Sequence, residues 1–191
     1  MVRFGVLALQ GDVREHAVAA AAAGAEPVLV RLPGDLEGLD ALAIPGGEST
    51  TIGKLAERYG LVEPLRTAIE AGLPTLGTCA GMIFLAAGTT EARPQVQLGV
   101  LDVVVRRNAF GSQVASFEAD IDVVGIVEPV RAVFIRAPWI EKMGAGVEVL
   151  AEVDGHPVMV REGNVVATSF HPELTGDPRV HTLLLHMRGR A

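Results

Sequence analysis

Short apolar runs alternate with amphipathic stretches through the first half of the chain, and this alternation limits the folds open to it. The runs RFGVLAL, EPVLVR, ALAIP and PTLGT have the pattern of buried strands. Helical patterns lie between and after them: DVREHAVAAAAAGA with Gly24 as its stop, TIGKLAERYG capped by Ser49 or Thr50, VEPLRTAIEAG and AGMIFLAAG. Strands that are apolar along their whole length and joined by helices indicate a parallel sheet covered on both faces.

The second half has a different pattern. LGVLDVVVRRN, FEADIDVV and VRAVFIRAP are predicted strands with few helices between them. Three further runs, separated by DG and EGN, predict an antiparallel meander before a last helix, PRVHTLLLHMR. With 191 residues and no repeat or linker, we expect a single domain over residues 1–191. Its predicted fold is a flavodoxin-like three-layer α/β sandwich, with a mainly parallel central sheet and an antiparallel extension in the C-terminal half.

Composition argues against several classes of partner. The net charge is −7 and no Lys/Arg cluster reverses it, so we expect no nucleic-acid binding. Charged residues from Asp12 to Glu15 interrupt the apolar N-terminus, and no run approaches the ~18 apolar residues of a membrane helix. A single cysteine excludes an internal disulfide, which suits a reducing compartment. The expected location is the cytoplasm.

That cysteine, Cys79, lies in GTCAG, where a predicted strand becomes a predicted helix. Gly77 and Gly81 flank it, as small residues do in a sharp strand-to-helix turn whose neighbours would otherwise collide with the backbone. Such a turn holds a nucleophile at the carboxyl edge of the sheet and at a helix N-terminus, whose dipole favours a thiolate. The alternative is a small buried residue of the core.

A thiolate nucleophile needs a base, and His171 ends the predicted strand VVATSF. Pro172 favours extended geometry at His171, so Glu173, two residues on, is predicted to point the same way and orient the imidazole. The other histidines are expected to be solvated, as for His16 and His156, or to have surface or packing roles, as for His181 and His186.

The loop IPGGEST, residues 44–50, follows another strand and contains consecutive glycines. We predict backbone donors to an oxyanion from Gly46 and Gly47, together with the amide of Ala80. The alternative is an ordinary strand–helix connection. A phosphate loop is less favoured because the Gly-Lys-Ser/Thr ending is missing, and dispersed histidines with one cysteine predict no metal site.

These residues together resemble class I glutamine amidotransferases. More narrowly, the chain resembles the glutaminase-subunit family of pyridoxal 5′-phosphate synthases in LALQGDVREH, PGGESTTIGKL, GTCAGM, RRNAFG, SFEADI, VFIRAP and SFHPELTGD. The resemblance implies Cys79 as nucleophile, His171 as general acid/base and Glu173 as its orienter, releasing ammonia from L-glutamine through a thioester. It further implies L-glutamine contacts from Gly47, Glu48, Ser49, Arg107, Ile135 and Arg136. No cofactor is implied, and the implied partner is a (β/α)₈-barrel synthase subunit that uses the ammonia.

Two other classes compete with this interpretation. A cysteine hydrolase on the same sheet would share the elbow but usually places histidine near the cysteine, and a regulatory module would have no need of a matched Cys, His and Glu. We also expect weak activity without the partner, with Gly46 and Gly47 as a gate because glycines accept either peptide orientation. Gln10 in LQGD is the candidate relay, and a preformed site is the alternative.

Overall fold

Seven strands form the central sheet of the computed structural model, which describes residues 1–92, 94–107 and 116–187. The strand bounds are β1 Arg3–Leu7, β2 Glu26–Val30, β3 Ala41–Ile44, β4 Thr75–Thr78, β10 Glu148–Val153, β11 His156–Glu162 and β12 Val165–Thr168. Five neighbouring strands are parallel, in the spatial order β12, β4, β3, β1, β2, and two antiparallel strands, β11 and then β10, extend the sheet beyond β12.

Helices cover both faces of this sheet because successive strand residues point to opposite sides. The helices are α1 Val13–Ala22, α2 Ser49–Arg58, α3 Val62–Glu70, α4 Ala80–Leu85 and α5 Arg179–Leu185. Leu42 and Ile44 face a core shared with α2, α3 and α4, whereas Ala41 and Ala43 face a second core shared with α1 and α5. The predicted three layers, mainly parallel sheet and antiparallel extension are confirmed.

Two small sheets and two short 3₁₀ helices complete the described structure. One sheet contains β5 Ala86–Thr89, β6 Leu101–Arg106 and β9 Trp139–Met143, and the other is the hairpin of β7 Ser116–Ile121 and β8 Val130–Ile135. The 3₁₀ helices are Pro33–Leu36 and Pro172–Leu174. The His171 N–H donates to the Val133 carbonyl at 2.9 Å, so the β7–β8 hairpin packs beside the end of β12.

Two local predictions are wrong. The N-cap of α2 is Glu48 rather than Ser49 or Thr50, because its carboxylate accepts the N–H groups of Thr50 and Thr51. The helix predicted over AGMIFLAAG ends at Leu85, and Ala86 begins a strand that pairs with β6. The stop at Gly24 is confirmed, with a left-handed φ of 85°.

Parts of three predicted segments lie outside the described residues: the last residue of LGVLDVVVRRN, positions 108–111 of RRNAFG and the last residue of PRVHTLLLHMR. Within the described ranges, no helix combines the length and apolar character needed to cross a membrane.

The strand order decides which loops meet. β12, β4, β3 and β1 are neighbours and parallel, so their carboxyl ends lie along one edge of the sheet. His171 follows β12, Cys79 follows β4, Gly46 follows β3 and Gln10 follows β1. Four segments that are distant in sequence therefore converge where open α/β sheets bind ligands.

Candidate active site

Cys79 lies on a tight elbow between β4 and α4. Its backbone angles, φ 49° and ψ −101°, are ones that residues with a side chain rarely adopt. A Cβ on Gly81 would lie 2.0 Å from the Ile44 carbonyl oxygen, and one on Gly77 would lie 2.8 Å from the Gly81 backbone. The steric need for glycine on both sides of Cys79 is therefore confirmed.

The His171 imidazole lies between a carboxylate and the cysteine. Its Nδ1 is 2.8 Å from Glu173 Oε1, and the Cys79 side chain lies close enough to the ring to raise its pKa. Burial by itself lowers the pKa of His171, but hydrogen bonds with Asp12, Cys79 and Glu173 raise it to about 12. The site thus favours an imidazolium beside the sulfur, an environment that favours the nucleophilic thiolate.

Asp12 is a second carboxylate on the same imidazole, and the sequence analysis did not identify it. Its Oδ2 lies 3.2 Å from His171 Nδ1, and its side chain is one-third exposed. The available signal was its position just after β1, at the same edge as Cys79. Ligand atoms of Asp12, His171 and Glu173 all lie within 4.8 Å of one another, so these are the described residues that could hold a cation.

The expectation of a solvated His16 is wrong. Its ring is fully buried, with Nδ1 3.0 Å from His181 Nε2 and Nε2 3.1 Å from Thr78 Oγ1. His16 faces inward because it shares the buried stripe of α1 with Ala19 and Ala20 at the i, i+3, i+4 spacing. The buried packing of His181 matches the packing role considered for it. His156, also expected to be solvated, stacks on Trp139 with ring centroids 4.0 Å apart.

Hydrogen bonds hold the glycine loop in one conformation. The Gly46 N–H donates to the buried Thr78 hydroxyl at 3.0 Å, and the Gly46 carbonyl accepts the Asp12 N–H at 3.2 Å. The Glu48 N–H donates to Gln10 Oε1 at 2.7 Å. The Gly46 N–H is therefore engaged away from any ligand, which contradicts its predicted role as an oxyanion donor in this conformation.

Two predicted donors keep a suitable position. Gly47 and Ala80 both line the cavity above Cys79. Ala80 is the first residue of α4, where the N–H has no acceptor within the helix.

The cavity in front of Cys79 has a volume of about 430 Å³, within the usual range for small-ligand sites. It brings together most of the predicted site residues and adds Asp12, Ile83 and Pro138, which the sequence analysis did not select. Its lining is Gln10, Asp12, Gly47, Glu48, Ser49, Cys79, Ala80, Ile83, Arg107, Ile135, Arg136, Pro138 and His171. Gly46 and Glu173 lie behind this lining, against His171.

Charged groups on the cavity wall differ in how far they are already paired. Arg107 Nη2 lies 3.0 Å from Glu48 Oε1. Burial raises the pKa of Glu48, but hydrogen bonds from Thr50 and Thr51 lower it to about 2, so the carboxylate is ionised. Arg136 has a left-handed φ of 44°, and no side-chain ion pair or hydrogen bond is seen for it within the described ranges.

Known proteins match this chain along nearly its whole length. The profile of the SNO glutamine amidotransferase family matches residues 6–189. The pyridoxal 5′-phosphate synthase subunit PdxT of Frankia casuarinae is 61% identical over 185 residues, covering 96% of this chain and 93% of that protein. PdxT of Streptomyces avermitilis is 60% identical over 185 residues, with 96% and 92% covered.

Solved structures agree with the sequence relatives. The crystal structure of a glutamine amidotransferase superposes with a TM-score of 0.93 at 54% identity, covering 96% of this chain and 97% of that one. PurLQS from Thermotoga maritima superposes with a TM-score of 0.73 at 19% identity, covering 97% and 98%, which shows a shared fold. The chain belongs to the SNO glutamine amidotransferase family.

Proposed function

We propose that the chain is a single class I amidotransferase domain that hydrolyses L-glutamine to L-glutamate and ammonia through a thioester on Cys79. The ammonia is used by a pyridoxal 5′-phosphate (vitamin B6) synthase, the enzyme of which the relatives of this chain are named as subunits. The observation that carries the proposal is the elbow cysteine in one cavity with His171, whose Nδ1 is 2.8 Å from Glu173 Oε1.

Acylation follows from this arrangement. The Cys79 sulfur attacks the side-chain amide carbon of glutamine, and the carbonyl oxygen takes the negative charge of the tetrahedral intermediate. The amides of Gly47 and Ala80 donate to that oxygen, where each donor is worth about 10²–10³ in rate in comparable sites. His171 gives its proton to the leaving nitrogen, and ammonia departs from the thioester.

Deacylation reverses the roles. His171, now neutral, removes a proton from water as the water attacks the thioester carbon, and Glu173 holds the imidazole in the tautomer with its proton on Nδ1. The second tetrahedral intermediate collapses and expels the Cys79 thiolate, which leaves the imidazolium and thiolate as at the start. L-glutamate departs, and its new carboxyl group loses its proton to solvent. No metal or cofactor takes part in either half of the reaction.

Glutamine recognition is assigned to the rest of the cavity wall. The ionised Glu48 suits the substrate's α-ammonium group, and Arg136 suits its α-carboxylate because Arg107 already pairs with Glu48. Gly47, Ser49 and Ile135 complete the contacts; the Ser49 hydroxyl is held by Gln95 at 3.1 Å.

The partner is a (β/α)₈-barrel synthase subunit, and its docking activates the glutaminase. Two hydrogen bonds from the turn after β1, from the Asp12 N–H and to Gln10 Oε1, fix the loop at Gly46 and Glu48. A partner that contacts this turn can therefore change the orientation of the loop. Two such bonds are worth about 1–3 kcal/mol together, a population shift of roughly five- to 150-fold.

Covalent trapping tests the function. The chain, with the synthase subunit present, is treated with the glutamine analogue 6-diazo-5-oxonorleucine, and the product is mapped by mass spectrometry. We expect one adduct, on the peptide that contains residue 79, and loss of both the adduct and ammonia release in Cys79→Ala. An adduct at another residue, or glutamine turnover by Cys79→Ala, would refute the assignment.

A further inference from the structure

Three groups from different elements approach a single oxygen of Glu173. His171 Nδ1 lies 2.8 Å from Oε1, the Thr78 hydroxyl donates to it at 3.3 Å, and His16 Nε2 lies 3.4 Å from it. The other oxygen, Oε2, is buried and has no hydrogen-bond partner in the part of the chain that the structure describes. The orientation of this carboxylate therefore depends on the groups at Oε1.

These contacts also keep the carboxylate charged. Burial raises the pKa of Glu173, but its contacts with His16 and then with His171 lower it by more, so the pKa lies well below its usual value. A charged group this deeply buried is costly unless such donors surround it.

The hydrogen bonds determine which nitrogen of His16 carries a proton. Thr78 Oγ1 has one proton and two lone pairs. It gives the proton to Glu173 and accepts the Gly46 N–H, which leaves one lone pair for His16. His16 Nε2 must therefore be protonated, whether the ring is neutral or charged.

His181 supports this assignment from the far side. Burial is the main cause that holds the pKa of His181 well below its usual value, so its ring is neutral. Its Nδ1 is buried with no hydrogen-bond partner among the described residues. A lone pair there costs less than an unpaired N–H, so the proton belongs on Nε2, from which it donates to His16 Nδ1 at 3.0 Å.

We propose that His16 is a positioning residue of the glutaminase site, which acts through Thr78 and Glu173 while His181 fixes its tautomer. This inference rests on the proposed function. His16 contacts two parts of the site, the glycine loop and the histidine–carboxylate pair. It is hydrogen-bonded to the Thr78 hydroxyl, which accepts the Gly46 N–H, and it approaches the Glu173 carboxylate, which orients His171. It does not line the cavity, so its effect falls on the chemical step rather than on glutamine binding.

A matched pair of amides tests the proposal. Gln at position 16 places its amide nitrogen near the original Nε2, whereas Asn reaches only the position of Nδ1. With the synthase subunit present, we expect His16→Asn to lower kcat by about 10- to 100-fold, the usual cost of leaving buried acceptors without their donor. KM for glutamine should change by less than about twofold, and His16→Gln should recover most of kcat. His186→Gln, on the exposed end of the chain's last helix, is the control and should match the parent.

A second pair of variants tests the proposal even if His16→Asn does not fold. Thr78→Val removes the hydroxyl at constant shape and should lower kcat, and Thr78→Ser should restore it. Equal kcat in the Asn and Gln variants, or a loss confined to KM, would overturn the proposal.

A third measurement does not depend on activity. Long-range ¹H–¹⁵N spectra of the histidine rings, assigned with His16→Gln, should show His16 protonated at Nε2 and His181 neutral at pH 7. A His16 tautomer protonated at Nδ1 alone would contradict the inference even in an active enzyme. If the parent chain releases no ammonia, the proposed function is contradicted. The tautomer measurement then still tests the hydrogen bonds around His16.

Discussion

Substituting Gly46 by alanine should strongly lower turnover, because the added methyl group would displace the His171 imidazole. A Cβ at this position would lie 2.3 Å from His171 Cε1 and 2.8 Å from Nδ1. Carbon atoms pack at about 3.5–4.0 Å, so about 1 Å of movement is required. The backbone φ of Gly46 is not in the left-handed region, so alanine itself brings no backbone strain.

The loop has little room to move instead of the ring. The Gly46 carbonyl oxygen is in close contact with Gly11, since a Cβ added to Gly11 would lie only 1.7 Å from this oxygen. The Gly46 N–H is hydrogen-bonded to Thr78. We therefore expect the imidazole to shift by about 1 Å, which can cost about 100-fold in kcat, or about 2.7 kcal/mol of activation free energy. Crowding should lower the free energy of unfolding by about 1–3 kcal/mol, which leaves the protein folded.

The assay measures ammonia release against glutamine concentration, with the synthase subunit present, alongside thermal unfolding. Gly88→Ala is the control, because no heavy atom lies within 4 Å of its added Cβ and its φ is not left-handed. It should keep parental kcat and stability. A folded Gly46→Ala protein with kcat within about threefold of the parent would refute this reasoning. It would show that the loop can accept a methyl group without displacing the His171 ring.

Three further changes test other parts of the site. His171→Asn should reduce turnover nearly as much as loss of the nucleophile, and Glu173→Gln should reduce it less because the base remains. His186→Asn should have no effect, and a greater loss of turnover in His186→Asn than in His171→Asn would contradict the assignment of the base. Gly81→Ala should lower the free energy of unfolding by about 3 kcal/mol or more in urea titrations, because its Cβ would lie 2.0 Å from a β3 carbonyl; unchanged stability would show that the elbow can widen. Gln10→Ala should reduce the activation of glutamine turnover by the synthase subunit, and equal turnover with and without that subunit would exclude the gate.

Close packing at the elbow was predictable because it is a local effect. Gly77, Cys79 and Gly81 lie within five residues, and the strand and helix patterns beside them place the turn. His171 and Glu173 could be paired for the same reason, since Pro172 restricts the backbone between them. The parallel sheet then put both segments at one edge, because apolar strands joined by helices have few other arrangements.

Asp12, His16 and Thr78 could not be found in this way. Asp12 caps α1, His16 lies within α1 and Thr78 ends β4, and each contacts His171 or Glu173 across 95 residues of sequence or more. The polar stretch at the start of the first helix led to the expectation of a solvated His16, although its spacing from Ala19 and Ala20 placed it on the buried stripe.

The sequence by itself determined the fold class and selected the candidate nucleophile and its candidate base, because those depend on local sterics and on hydrophobic periodicity. Only the tertiary structure decided how protons and backbone donors are arranged around them. Thr78 takes up the Gly46 N–H, Asp12 adds a second carboxylate to His171, and His16 reaches Glu173. These contacts depend on the strand order β12, β4, β3, β1 and on distances of about 3 Å between separate elements, which no pattern along the chain encodes.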